Sequence, residues 1–253
     1  MSLPILPIRN QIPYPVFTPK MIKRRCQSGF TLVELLVVIT IMAILASVLM
    51  PVYQGVIQRA NSTGCASHMR LLGQAFTLFS NDNNGQFPGR INSGNTRDKW
   101  PLLLQPYVSD VKNYVDPGDP IANSLDAKLI LSNRANMSSF FFNGFDDLGS
   151  TNGTQGVQVS MANVTNATNL ILLGQKVNGN TQFYMDFVEG NQDDILHKNA
   201  YFNGANYTFA DGSSRFITEA DYNHVSPGNT ASDGDRMWLI NQAYVIPPVP
   251  AGH

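Results

Sequence analysis

Residues 30–50 form a 21-residue run of predominantly Leu, Val, Ile, Ala and Met side chains that contains one charge, Glu34. As a helix the run extends about 31 Å at ~1.5 Å per residue, close to the ~30 Å hydrocarbon thickness of a bilayer. No turn-forming residue interrupts it before Pro51. This predicts a membrane-spanning helix. A carboxylate inside hydrocarbon costs roughly 2.5–3.5 kcal/mol on insertion scales, so Glu34 calls for a counter-charge. The nearest candidate is an amino terminus made by cutting the chain after Gly29, placed one helical turn before Glu34.

Charge is distributed in a way that orients such a span. Residues 1–29 carry Arg9, Lys20, Lys23, Arg24 and Arg25 and no acid. Basic residues ahead of an apolar span keep that end in the cytoplasm, so the remainder is expected to cross the membrane. Without residues 1–29 the chain has 12 basic against 18 acidic side chains, a balance of −6. An acidic surface argues against a general grip on nucleic acid, which depends on neutralising phosphates. Removal of residues 1–29 would also take Cys26 and leave Cys65 alone, so no intramolecular disulfide is expected; Cys65 reads as a small residue on a helix face.

Residues 1–20 contain five prolines and neither helical nor strand periodicity. A secretory signal would be cut after its apolar stretch, whereas the cut expected here precedes it. Met1 and Met21 both remain possible starts.

Beyond residue 50 the run becomes amphipathic. Val52, Val56, Ala60, Met69, Leu72, Phe76 and Phe79 recur at helical spacing, which predicts one helix from 30 to about 79, some 75 Å at ~1.5 Å per residue. Pro51, Gly55, Gly64 and Gly73 are positions where it can bend. Asn81-Asp82-Asn83-Asn84-Gly85 ends it. Composition then shifts: of 25 asparagines, all but Asn10 lie at or after Asn61. Asp98 is a candidate cap for a short helix over 100–104, and Asp116-Pro117-Gly118-Asp119-Pro120 reads as a turn. Strands are expected over 139–143, 170–175, 182–188, 205–210 and 213–217, with Asp211-Gly212 joining the last two as a hairpin. A long helix followed by antiparallel hairpins predicts an α+β fold in which the sheet covers the helix's apolar face. The resulting organisation is a basic leader (1–29), a span (30–50), an amphipathic continuation (51–80) and a globular head (81–253).

Chemistry-bearing motifs are sparse. The chain has no Gly-x-Ser-x-Gly elbow, Walker-type glycine loop or paired-His metal motif, so no catalytic residue is assigned. His197, Asp193, Asp194 and Asp211 form the only candidate acid/base set, and solvated loop carboxylates explain them more simply. The acidic pairs Asp146/Asp147, Asp193/Asp194 and Asp233/Asp235 lack EF-hand spacing; Asp193, Asp194, Asp233 and Asp235 are weak calcium candidates. The aromatics in 138–145, 183–187 and 201–209 are expected to form core.

The segment Lys23-Arg24-Arg25-Cys26-Gln27-Ser28-Gly29-Phe30-Thr31-Leu32-Val33-Glu34-Leu35 resembles the cleavage and methylation signal of type IV pilins and type II secretion pseudopilins. That resemblance implies cleavage between Gly29 and Phe30 by a prepilin peptidase, N-methylation of Phe30, and an assembly role for Glu34 and Pro51. It also implies residence in a bacterial inner membrane with the head in the periplasm. Partners would be copies of the chain or sister pseudopilins, an inner-membrane platform protein and a cytoplasmic assembly ATPase, without a resident cofactor. The implied function is structural, a subunit of a secretion pseudopilus; a minor pilin or adhesin binding an extracellular ligand is the alternative, and a membrane-tethered enzyme a third reading. A second resemblance joins Trp100, Pro106-Tyr107, the 116–120 turn and Ala205-Asn206-Tyr207-Thr208-Phe209-Ala210-Asp211-Gly212 to pseudopilin-like proteins with a His-x9-Asp-Gly signature, found in planctomycetes and verrucomicrobia. Tyr201 stands at the histidine position of that signature.

Overall fold

The computed structural model describes residues 29–89, 99–120, 138–145, 159–180, 182–185, 196–227 and 231–240. The chain divides into two compact units, one ending at Leu49 and one beginning at Met50.

Within the first unit the chain is extended at Gly29 and Phe30 and enters helix α1 (Leu32–Asp82). Every described side chain here is exposed, including Leu32, Leu36, Ile39, Met42, Leu45 and Leu49. The hydroxyls in this stretch are satisfied by the helix itself: Thr40 Oγ1 donates to the Val37 carbonyl at 2.8 Å and Ser47 Oγ to the Ile44 carbonyl at 2.7 Å. An apolar solvent supplies no partner for a hydroxyl, so this internal bonding lets both residues sit in a lipid-facing helix.

In the second unit α1 continues unbroken through Pro51, Gly55, Gly64 and Gly73. The face predicted from periodicity is covered over only part of its length. Cys65, Met69, Leu72, Gly73, Ala75, Phe76 and Ser80 are buried, whereas Val52, Val56 and Ala60 are exposed. The reach of the sheet explains the change. Asn206 Nδ2 donates to the Ser62 carbonyl at 3.1 Å and Thr208 Oγ1 to the Met69 carbonyl at 3.1 Å, so the strand holding them crosses the helix from Ser62 onward. At Gly73 the approach is so close that a Cβ would lie 2.7 Å from Thr208 Cγ2.

That sheet has five strands: β1 (Phe140–Asn143), β2 (Ile171–Gln175), β3 (Tyr184–Met185), β4 (Gly204–Phe209) and β5 (Ser214–Thr218), in the order β3-β1-β2-β4-β5. Four of the five predicted strands appear with bounds within a residue or so of expectation. The candidate 182–188 is strand only at Tyr184–Met185; Gln182 and Phe183 are not strand, and 186–188 lie outside the described residues. The sheet is antiparallel except where β1 and β3 pair in parallel, Phe142 opposite Tyr184. Between β4 and β5 the turn differs from the one expected. Gly212 alone takes positive φ, +79°, while Asp211 accepts the Ser213 amide on its side chain at 2.9 Å, the pattern of a longer hairpin loop closed by a left-handed glycine.

Strands β1, β2 and β4 are buried on both faces, and β1 sends aromatic rings to either side. Phe142 stacks on Phe76 of α1 with centroids 4.6 Å apart and lies 6.5 Å from Trp100 of the short helix α2 (Trp100–Leu103). Phe141 points the other way and stacks on Trp238 at 5.3 Å, within a second core that includes Tyr207, Phe209 and Tyr222. Two short helices, α3 (Glu219–Asn223) and α4 (Asp233–Arg236), carry Tyr222 and lead into Trp238. The sheet covers the apolar face of α1 as the sequence predicts, and a second core lies on its other side. The expected cap at Asp98 lies outside the described residues; α2 is preceded by Lys99, which makes no capping side-chain bond, and Pro101 occupies its first turn.

Candidate functional site

The first site is the start of α1. Helix beginnings leave backbone N–H groups without partners, and a Thr-x-x-Glu sequence answers this with a reciprocal pair of side-chain bonds. Thr31 and Glu34 make that pair. Glu34 N donates to Thr31 Oγ1 at 3.3 Å, and Glu34 Oε2 accepts from Thr31 N at 2.8 Å and from Thr31 Oγ1 at 2.7 Å. The carboxylate is thus folded back onto the residue next to Phe30. Gly29 has open space around its Cα, with nothing within 4 Å of where a side chain would begin, and Phe30 is exposed. The Gly29–Phe30 bond is therefore accessible, and an amine released at Phe30 would lie beside the Glu34 carboxylate. Thr31 is the residue that sequence reading missed: the Thr-x-x-Glu spacing was available as a capping signal, yet Glu34 was read only for its charge. Lys23, Arg24 and Arg25 lie outside the described residues.

A second constellation is built under the 116–120 turn. Asp116 is buried, and its carboxylate accepts a short hydrogen bond from the Tyr201 hydroxyl, one from Gln175 Nε2 at 2.5 Å and one from Gly118 N at 2.8 Å. Burial raises its pKa, opposed by these three donors, and the nearby Asp119 raises it further. Asp119 accepts from Ser139 Oγ at 2.9 Å. Buried Lys176 donates to the Gln182 carbonyl at 3.2 Å, and burial lowers its pKa from 10.5 to about 8. The Cys65 thiol is pushed well up, first by burial and then by Asp116. Since Pro117 also approaches Gly64 of α1, where a Cβ would be 3.1 Å from Pro117 Cγ, this cluster ties turn, sheet and helix together. Tyr201 thus spans from the signature position to the Asp-Pro turn. Its role is to hold the fold.

The remaining candidates do not converge. His197 is half-buried and feels Asp116 and Asp119, whereas Asp211 sits exposed in the β4–β5 turn. Asp233 accepts from His224 Nδ1 at 2.7 Å and Ser226 Oγ at 2.8 Å, which together hold its pKa below the usual value. Asp235 accepts from the Tyr222 hydroxyl at 3.0 Å. Asp193 and Asp194 lie outside the described residues. Among the described residues no three His, Cys, Asp or Glu side chains are grouped as a metal would require. An open groove of about 780 Å³ lies between α1 and the β4–β5 turn, lined by Arg70, Gln74, Thr77, Leu78 and residues 211–214.

Comparison with known proteins bears on the first of these sites. Residues 24–50 match the family model described as the prokaryotic N-terminal methylation motif. Type II secretion system core protein G of Aeromonas hydrophila is 40% identical over 62 residues, 24% of this chain and 43% of that protein. The chain therefore spans less than half the length of this curated relative. No solved structure matches the chain. The N-terminal segment thus resembles that of type IV pilins and pseudopilins.

Proposed function

We propose that this chain is a structural subunit and not an enzyme: a pilin-like protein held in a bacterial inner membrane by residues 30–50, with residues 81–253 as a periplasmic head. A prepilin peptidase cuts between Gly29 and Phe30 and methylates the new amine. The subunit then assembles, with copies of itself or sister pseudopilins, into a type II secretion pseudopilus on an inner-membrane platform driven by a cytoplasmic ATPase. One observation carries this reading. The methylation motif coincides with a helix whose apolar side chains are exposed throughout residues 30–50, with its single carboxylate turned toward the cut. In the membrane that charge is costly. In an assembly, an amine from a neighbouring copy offsets it, and apolar helix faces pack together.

Glu34→Val tests the pairing. The variant removes the charge and keeps a lipid-compatible helix, so membrane insertion and cleavage should persist while incorporation into filaments falls. Incorporation at the wild-type level would refute the pairing role.

The open groove beside Arg70 favours one further reading, a minor pilin whose head binds an extracellular ligand. In that case Arg70→Ala would abolish attachment and leave assembly intact; unchanged attachment would remove the reading.

A further inference from the structure

One exposed part of the head is more strained than its surroundings require. Tyr201 and Gly204 exchange backbone hydrogen bonds, each 2.8 Å, across a two-residue turn made of Phe202 and Asn203. Both residues take the left-handed conformation, with φ +40° and +64°. Such turns favour Asn-Gly, because a side chain in this region meets its own backbone and a bulky aromatic fits worst. The turn nevertheless presents a phenylalanine, 44% exposed, where asparagine would be easier to fold. Strain of this kind persists when something other than folding selects for it.

Its surroundings say what that is. Arg59 of α1 lies over the Phe202 ring, 5.7 Å from the centroid. Phe216, 43% exposed, lies beside the turn, its ring occupying the space where a Cβ on Gly204 would be, 2.6 Å from Phe216 Cζ. Val52 and Val56 share the helix row of Arg59 by their i, i+4, i+7 spacing, and both are exposed. Val52, Val56, Phe202 and Phe216 therefore make an apolar surface that runs from the helix onto the sheet, with one cation among them. Among the described residues no carboxylate pairs with Arg59.

We infer that this surface is the contact by which the head engages a second copy of the chain, with Phe202 as its anchor. The occupant follows from continuity and charge. The apolar row at Val52 and Val56 continues, along the sequence, the exposed run of residues 30–50 that the assembly reading packs against other copies. The rest of the chain is acidic, 18 carboxylates against 12 basic groups after residue 29, so a neighbouring copy brings carboxylates to Arg59. The inference rests on the assembly reading and adds the head surface to it. Aromatic side chains, phenylalanine included, and arginine are enriched at such contacts.

The strain provides the test, because it separates stability from association. Two differently tagged copies of the full chain are co-expressed, cross-linked in membranes with formaldehyde and co-purified, and the melting temperature of each detergent-solubilised variant is measured. Asn203→Gly relieves strain and keeps the ring; it should melt higher and co-purify as the wild type does. Phe202→Asn combined with Asn203→Gly should also melt higher, by roughly 2–4 °C, yet co-purify about tenfold less. Wild-type yield from the double variant would overturn the anchor. So would a fall in melting temperature that accompanies the lost yield, since the turn would then be structural only. A Phe202-dependent cross-link to another protein, without the second tag, would overturn the choice of partner. Wild-type copies that fail to co-purify would overturn the assembly reading itself, a result distinct from the other three.

Discussion

Lys176 sits at the end of β2 with its ammonium buried, and the structure puts a number on what this costs. Burial lowers its pKa from 10.5 to about 8. At ~1.36 kcal/mol per pKa unit, the charged form withholds about 3 kcal/mol of native stability at neutral pH. The folded pKa is depressed, so below pH 8 both states carry the proton and the burden is complete. Between about 8 and 10.5 the unfolded chain binds more protons than the native one, and stability rises with pH; above 10.5 the burden is gone. Lys176→Met keeps the apolar stem and removes the charge. It also forfeits the hydrogen bond to the Gln182 carbonyl and the contact of Nζ with the Phe183 ring at 5.9 Å, together about 1 kcal/mol. A net gain of about 2 kcal/mol at pH 7 is expected, a melting temperature higher by roughly 4–8 °C for a domain of this size. Cys65 acts with the opposite sign: its thiol pKa is raised in the fold, so its contribution is lost as pH climbs past the ordinary thiol value. The decisive quantity is therefore the difference between wild type and variant, followed by thermal melting of the detergent-solubilised chain from pH 7 to 10.5. That difference should shrink steadily above pH 8. A flat difference, or a variant less stable at pH 7, would refute the reasoning.

Two further perturbations examine the joint between helix and sheet. Gly73→Val puts methyl groups where a Cβ alone would come within 2.7 Å of Thr208 Cγ2 and meets backbone at Gly212; destabilisation of about 1–3 kcal/mol is expected in denaturant melts, with membrane insertion unchanged. Tyr201→Phe removes one of three donors to the Asp116 carboxylate, costing about 1.5–3 kcal/mol at neutral pH. Because that donor holds the Asp116 pKa down, its loss raises the folded pKa further, so the deficit should be smallest in acid and grow as pH rises through the carboxylate range. Melting curves at acid and neutral pH that differ from wild type by the same amount would contradict this.

The helix and the strands were legible because their signals are local. An apolar run without turn residues, period-two aromatics and an Asp-Gly pair each report on backbone geometry within a few residues. The parts that were not legible depend on partners far apart in sequence. Val52 and Phe76 carry the same helical periodicity, yet only Phe76 is covered, because a ring from β1 reaches it and none reaches Val52. The second core was hidden for the same reason: Phe141 and Trp238 are nearly a hundred residues apart, and nothing local to either announces their stacking. Asp116 read as a turn former, which it is, but its burial is set by Tyr201 and Gln175 arriving from β2 and the β4 approach. At the helix start the motif located Gly29, Phe30 and Glu34, and the Thr31–Glu34 pair, local in sequence, was legible as a capping box.

Cutting the chain beside Glu34 lets the new amine and that carboxylate, exposed in the single chain, neutralise one another between copies. Intact-mass measurement of the protein extracted from membranes tests it directly. The prediction is a chain that begins at Phe30 and carries one methyl group on its amine. A membrane-extracted protein that retains Gly29 and the basic residues ahead of it, or that begins elsewhere, would contradict it.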